Sequence, residues 1–155
     1  MKKLNLVIIL GLILTASTSA MADDVADIKA AMEKHFVTFK AGDAGGHIAH
    51  HKAGNTSFGG DGGALAVNDS LEEEAAELQA SFDEGNKFDF ELVDLEVAVY
   101  GDMAVVTSLQ TGTVTTPDGK KEKVKNRRTA VVVRDGSDWK EVHSHISAYV
   151  EESTD

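Results

Sequence analysis

Apolar residues recur at steps of three and four between Asp24 and Lys40: Val25, Ile28, Met32, Phe36 and Phe39. That spacing predicts one buried helical face. Asp23 or Asp24 is the expected cap at its start and Gly42 its stop. A second helical turn is expected over Ala44 to His51. Asn55 to Gly63 is rich in glycine and polar residues, with Phe58 in its middle, and predicts a loop or a short strand with tight turns. Ser70 then opens a third helix as N-cap, with Glu73 as capping-box partner. Leu71, Ala75, Leu78 and Phe82 form its apolar stripe, and Gly85–Asn86 ends it.

From Phe88 the period changes to two. Phe88, Phe90 and Leu92 alternate with acids, and Val93, Leu95, Val97 and Val99 continue on the opposite parity. The switch between Leu92 and Val93 predicts a bulge or bend. Tyr100–Gly101–Asp102 turns the chain into a strand from Met103 to Thr115. Thr116–Pro117–Asp118–Gly119 turns it again. Lys123 to Arg134 and Trp139 to Val150 complete a four-stranded antiparallel meander, joined at Asp135–Gly136. Helices followed by strands predict an α+β domain in which the helices cover one sheet face.

Residues 1–22 stand apart from this pattern. Lys2 and Lys3 precede an apolar run from Leu4 to Leu14, and Ala20–Met21–Ala22 has the small-x-small form of a signal-peptidase site. This predicts a secretory signal cleaved after Ala22, hence a periplasmic or secreted protein with one domain over residues 23–155. The apolar run is short for a membrane span, so no membrane association is expected after cleavage. The 155-residue chain has no cysteine, which excludes disulfides, thiolate metal sites and thiol nucleophiles. Its formal charge of −11 argues against a nucleic-acid partner.

The closing stretch carries a family resemblance. Arg128 to Gly136, then Trp139–Lys140–Glu141–Val142–His143–Ser144–His145–Ile146–Ser147, resembles the final hairpin of SnoaL-like domains. The association domain of calcium/calmodulin-dependent kinase has a similar ending, and Phe58–Gly59–Gly60–Asp61–Gly62–Gly63–Ala64–Leu65 resembles the region after the second helix in the same superfamily. The resemblance implies the cone-shaped fold of nuclear transport factor 2, with N-terminal helices packed on a curved antiparallel sheet of four or more strands. It also implies a pocket at the wide end for a small-molecule ligand, and a homodimer through the outer sheet face. The superfamily holds isomerases, dehydratases, cyclases, plain binders and oligomerisation modules, so fold does not choose among them.

The residues supply candidate chemistry. His143 and His145 lie two apart in a strand and share a face, with Trp139 on the same parity if no bulge intervenes. With a four-residue loop at Asp135–Asp138, Arg128 falls opposite His145. This set reads as an anion-binding cluster or as a site with His143 or His145 as general base; the alternative is packing. Arg127 and Arg128 face opposite sides, and the inward one is expected either to anchor a carboxylate or phosphate ligand or to pair with one of the chain's own acids. Ligand-lining residues are expected to be Arg127, Arg128, His47, His51, Phe36 and Trp139. His47, His50 and His51, if helical, share a face with spacing suited to zinc or copper. Flanking glycines and the lack of a nearby carboxylate weigh against that set, so no cofactor or resident metal is assigned. The Tyr–Asp oxyanion hole of steroid-isomerase relatives has no counterpart, because the only tyrosines are Tyr100 and Tyr149. Glu72–Glu73–Glu74 reads as a solvated face.

The function expected is therefore small-ligand binding in the cone without assured catalysis. Acid–base catalysis through His143 or His145, and metal binding through His47, His50 and His51, are the alternatives.

Overall fold

The computed structural model describes the backbone of residues 13–150, with side chains from Ala22 onward. The lysine pair and most of the apolar run of the expected signal lie outside the described residues. The first helix, α1 (Ile13–Ala41), runs unbroken past Asp23 and Asp24. Neither aspartate caps a helix start, because the good helix formers Ala20, Met21 and Ala22 carry the helix through them. Asp24 instead accepts a bond from Arg134 Nη2 at 2.5 Å. Among the described residues no helix is long and apolar enough to cross a membrane.

The chain continues through α2 (Ala44–Ile48), β1 (His51–Phe58), β2 (Ala66–Asn68), α3 (Leu71–Asp83), β3 (Lys87–Tyr100), β4 (Met103–Thr115), β5 (Lys121–Asp135) and β6 (Asp138–Ala148). The fold is α+β, with helices on one side of a curved six-stranded sheet ordered β2-β1-β6-β5-β4-β3. The four long strands form the expected meander. The stretch from His51 to Asn68 contributes the rest: β1 pairs parallel to β6 and antiparallel to β2. Ser70 caps α3, its hydroxyl accepting from the Glu73 amide at 3.2 Å.

Two irregularities shape the sheet. In β3 the register slips between Val93 and Glu96, with Asp94 at φ 54°. Phe88, Phe90 and Leu92, then Val93, Leu95, Val97 and Val99, are the half-buried positions, so the parity switch does mark a bulge. In the β5–β6 hairpin the register slips between Val131 and Val132, leaving Val142 as the extra residue. Before it Arg134 faces Trp139 and Val132 faces Glu141; after it Ala130 faces Ser144 and Arg128 faces Ile146.

The dry core sits at one end of the cone. Ile28 and Met32 of α1 pack on Ala104, Val106, Ala130, Val132 and Trp139, with Leu92, Leu95, Val97 and Val99 against them. Each large side chain buried there contributes about 1.5–3 kcal/mol. Beyond Met32 the same helix face meets no such filling, and the sheet and α1 diverge around a hollow.

Candidate functional site

That hollow is a cavity of about 610 Å³, bounded by α1, α2, β1 and the inner faces of β3–β6. One wall is aromatic. Phe39 stacks on Phe88 at 4.8 Å and on the His47 imidazole at 4.5 Å between ring centroids, and Phe90 stands beside it at 6.0 Å. The floor is ionic. Arg128 and Glu141, 4% and 3% exposed, form an ion pair. The guanidinium also lies 5.5 Å from the Phe36 ring centroid and 3.9 Å from Met32 Sδ. Gln110 on β4 is buried in the same wall, and its Oε1 has no hydrogen-bond partner among the described residues.

The third wall is built from histidines. His35 on α1 is 2% exposed; its ring stacks on His47 at 3.7 Å and lies 5.1 Å from His51. His47 Nδ1 donates to the His35 carbonyl at 2.9 Å, and His35 Nδ1 faces the His47 carbonyl at 3.3 Å. A ring nitrogen against a carbonyl carries the proton, so the other ring nitrogen holds a lone pair. Burial pushes the His35 pKa well below its ordinary value, reinforced by His47 and Arg128. Burial likewise brings His47 down to about 4, against an opposing contribution from its backbone bond. Both imidazoles are neutral at pH 7.

His51 opens β1 and bonds through Nδ1 to Glu74 Oε1 at 2.7 Å. Asn55 donates to Glu74 Oε2 at 3.0 Å and Asn68 to Oε1 at 3.2 Å. Burial alone would raise the Glu74 carboxyl, but the His51 and Asn55 bonds outweigh it and hold the pKa below the usual range. Glu72 and Glu73 are exposed as expected of a solvated run. Glu74 is not, because the next step of about 100° along α3 turns it toward His51 and Asn55 of β1.

The cavity takes in Phe36, His47, His51 and Arg128 of the expected lining, and leaves out Arg127 and Trp139. Arg127 is exposed on the outer sheet face, 5.6 Å from the Tyr149 ring. Trp139 belongs to the dry core, with the Arg134 guanidinium 4.5 Å from its ring. His143 and His145 lie on the outer face, because Val142 bulges out and inverts the parity set by Trp139. Arg128 consequently faces Ile146 rather than His145. His143 Nδ1 bonds Thr56 Oγ1 at 2.8 Å, and His145 is exposed beside Phe58. Neither reaches the cavity, so neither can act on a molecule inside it.

The expected His47, His50 and His51 face does not form. α2 ends at Ile48, His50 sits in the turn after it and His51 starts a strand. Burial lowers the His50 pKa, with Lys34 and Lys140 adding to the effect, and His50 does not line the cavity. His35 takes its place. The signal for His35 lies in the helical stripe, three residues after Met32 and four before Phe39. The signal for Glu141 is its shared parity with Trp139.

A family model for the SnoaL-like domain matches residues 28–151, which include every cavity-lining residue. The chain belongs to the SnoaL-like domain family. SnoaL-like domains bind small ligands and often catalyse reactions on them. Among curated proteins none matches the chain. Similar solved structures include a ketosteroid isomerase-like protein from Erwinia carotovora atroseptica, 23% identical over 83% of this chain and 98% of that one, TM-score 0.66. An NTF2-like protein with a cystatin-like fold from Novosphingobium aromaticivorans is 16% identical over 94% and 95%, TM-score 0.70. The CaMKII hub of S. rosetta is 21% identical over 81% and 96%, TM-score 0.63. At these identities the likeness is one of fold: this SnoaL-like domain has the cystatin-like cone.

Proposed function

We propose that this SnoaL-like domain binds a small organic molecule in its cavity. The molecule has a flat apolar body lying on Phe39, Phe88 and Phe90, and a hydrogen-bond donor directed at Gln110. The observation that carries this reading is the aromatic wall of Phe39, Phe88 and Phe90 on a cavity of about 610 Å³, with the Gln110 amide in the adjoining wall. Gln110 Oε1 is sealed in the wall without a partner among the described residues, a cost of about 1–3 kcal/mol, and a ligand donor recovers it where the amide turns toward the hollow. Anilinonaphthalene sulfonate, a flat aromatic probe, tests the cavity. Its fluorescence should rise on binding and be lost in Val124→Trp, which fills the hollow while circular dichroism stays unchanged. Equal fluorescence in both proteins would defeat the reading.

One observation favours acid–base catalysis as a second reading. His35 and His47 line the cavity wall with one free ring nitrogen each, able to accept a proton, as weak bases because burial depresses both. On this reading the base is one of these two rather than His143 or His145.

We also propose export with cleavage after Ala22, supported by the Lys2–Lys3, apolar and Ala20–Met21–Ala22 segments. Cleavage would leave Asp23 and Asp24 at a new helix N-terminus, where the helix dipole favours them. Intact mass after expression in a bacterial host should begin at Asp23. A second copy is the proposed occupant of the outer sheet face, which exposes Phe58, Val67 and Met103, in line with the hub relative. Light scattering should give twice the chain mass.

A further inference from the structure

We propose that His35, His47 and His51 bind one late divalent transition-metal ion, zinc being the reference case, at a site opening into the cavity. One ring nitrogen from each lies within 4.8 Å of one from each of the others. The three come from α1, α2 and the first residue of β1, so the packed fold itself assembles the donors. The proposal goes beyond organic-ligand binding, which needs no metal.

The hydrogen bonding around the rings suits ligation. Each Nδ1 is already committed: His35 and His47 to each other's carbonyls, and His51 to Glu74. Three Nε2 lone pairs remain. Imidazoles that bind metals characteristically donate their second ring proton to a carbonyl or carboxylate, which fixes the tautomer and raises basicity. Glu74 fills that role for His51 and is itself held by Asn55 and Asn68. Burial keeps protons from competing for His35 and His47 at neutral pH.

The charge balance admits a cation. Arg128, whose charge acts on both His35 and His47, is paired with Glu141, and Glu74 places a carboxylate beside the rings. Three nitrogen donors with no thiolate suit zinc, cobalt, nickel or copper rather than magnesium or calcium. Tetrahedral zinc with bonds of about 2.0–2.1 Å needs nitrogens roughly 3.4 Å apart. Binding therefore draws the three nitrogens together from separations of up to 4.8 Å. The fourth position then faces the cavity, the arrangement of a site that keeps one place for water or a ligand.

The test uses untagged protein stripped with EDTA and titrated with zinc against a chromophoric chelator, with no organic ligand present. One zinc per chain is expected, and cobalt should give the intense absorption of a four-coordinate ion. His51→Gln, half-buried and so least harmful to the fold, should weaken zinc at least as much as the roughly 10–100-fold expected for Glu74→Gln. His50→Gln should leave it unchanged. Absence of stoichiometric zinc on folded wild-type protein overturns the proposal, as does equal loss in His50→Gln. Probe binding that persists in EDTA keeps the organic-ligand reading alive when zinc fails, and zinc binding without probe binding does the reverse.

Discussion

Arg128 and Glu141 meet in a buried ion pair although the strand ladder sets neither opposite the other: Arg128 faces Ile146 and Glu141 faces Val132. Between them on the inner face lie Ala130 and Ser144, both small, and the guanidinium runs along the sheet over that pair. The bulge at Val142 leaves Glu141 opposite Val132, where the turn sets it, and brings Ser144 and Ile146 rather than His143 and His145 onto the inner face beside Ala130 and Arg128. Removing one partner strands a charge in the floor of the cavity. Glu141→Leu should cost about 3–5 kcal/mol in urea unfolding, whereas Arg128→Met with Glu141→Leu should cost far less than the sum of the singles. Additive losses would mean the two charges are solvated independently.

Acid should destabilise the metal-free protein before its carboxylates titrate. His35 and His47 have folded pKa values below their ordinary value of 6.5, His47 at about 4. The unfolded chain then binds more protons than the folded one between about pH 6.5 and 4, so stability falls as pH falls through that window. His47 alone accounts for about 3 kcal/mol by pH 4. Urea midpoints in EDTA should decline across this range, and His47→Leu should flatten the slope. A flat wild-type profile above pH 4.5 would contradict the burial of these rings.

Backbone crowding gives a sharper contrast. Gly112 has φ 150°, and a Cβ there would fall 1.9 Å from the Asp89 carbonyl oxygen across the β3–β4 ladder. Gly101 has φ 66° in an open turn with nothing within 4 Å. Gly112→Ala should cost more than about 3 kcal/mol, through a steric clash with the backbone of the neighbouring strand. Gly101→Ala should cost about 1–2, the left-handed penalty alone. Thermal unfolding of the two variants side by side checks this, and equal losses would show that the strands separate freely at Gly112.

How far the site could be read in advance follows from where each residue gets its orientation. The α1 stripe and the β3 parity switch are set by local periodicity, and both matched the structure. His143 and His145 failed because their face depends on Val142, an ordinary valine that marks no bulge in the way glycine or proline would. One extra residue inverts every side chain after it. Glu74 could not be separated from Glu72 and Glu73 by charge, since only docking of α3 on β1 turns it inward. His35 was visible on the helical stripe, but its partners His47 and His51 reach it through chain reversals that no local pattern encodes. The parallel pairing of β1 with β6 joins segments more than 80 residues apart and is invisible to periodicity for the same reason.

Gln110 offers a test in which function and stability should move in opposite directions. Its neighbours along the inner face of β4, Ala104, Val106 and Ser108, are all buried, and the amide continues that row into the cavity wall. The unpartnered Oε1 is a standing cost in the empty protein, whereas a methionine of similar shape leaves nothing unsatisfied. Gln110→Met should therefore raise stability by about 1 kcal/mol, at the low end of the penalty for a buried unpaired acceptor. It should also weaken donor-bearing ligands in the cavity while sparing purely apolar ones, because only the former use the carbonyl. The check is a pair of measurements on one variant: thermal unfolding without ligand, and the affinities of indole and naphthalene, flat bicycles with and without an N–H. A loss of stability would mean that Oε1 is satisfied by bound water. An unchanged preference between indole and naphthalene would mean that ligands do not reach Gln110.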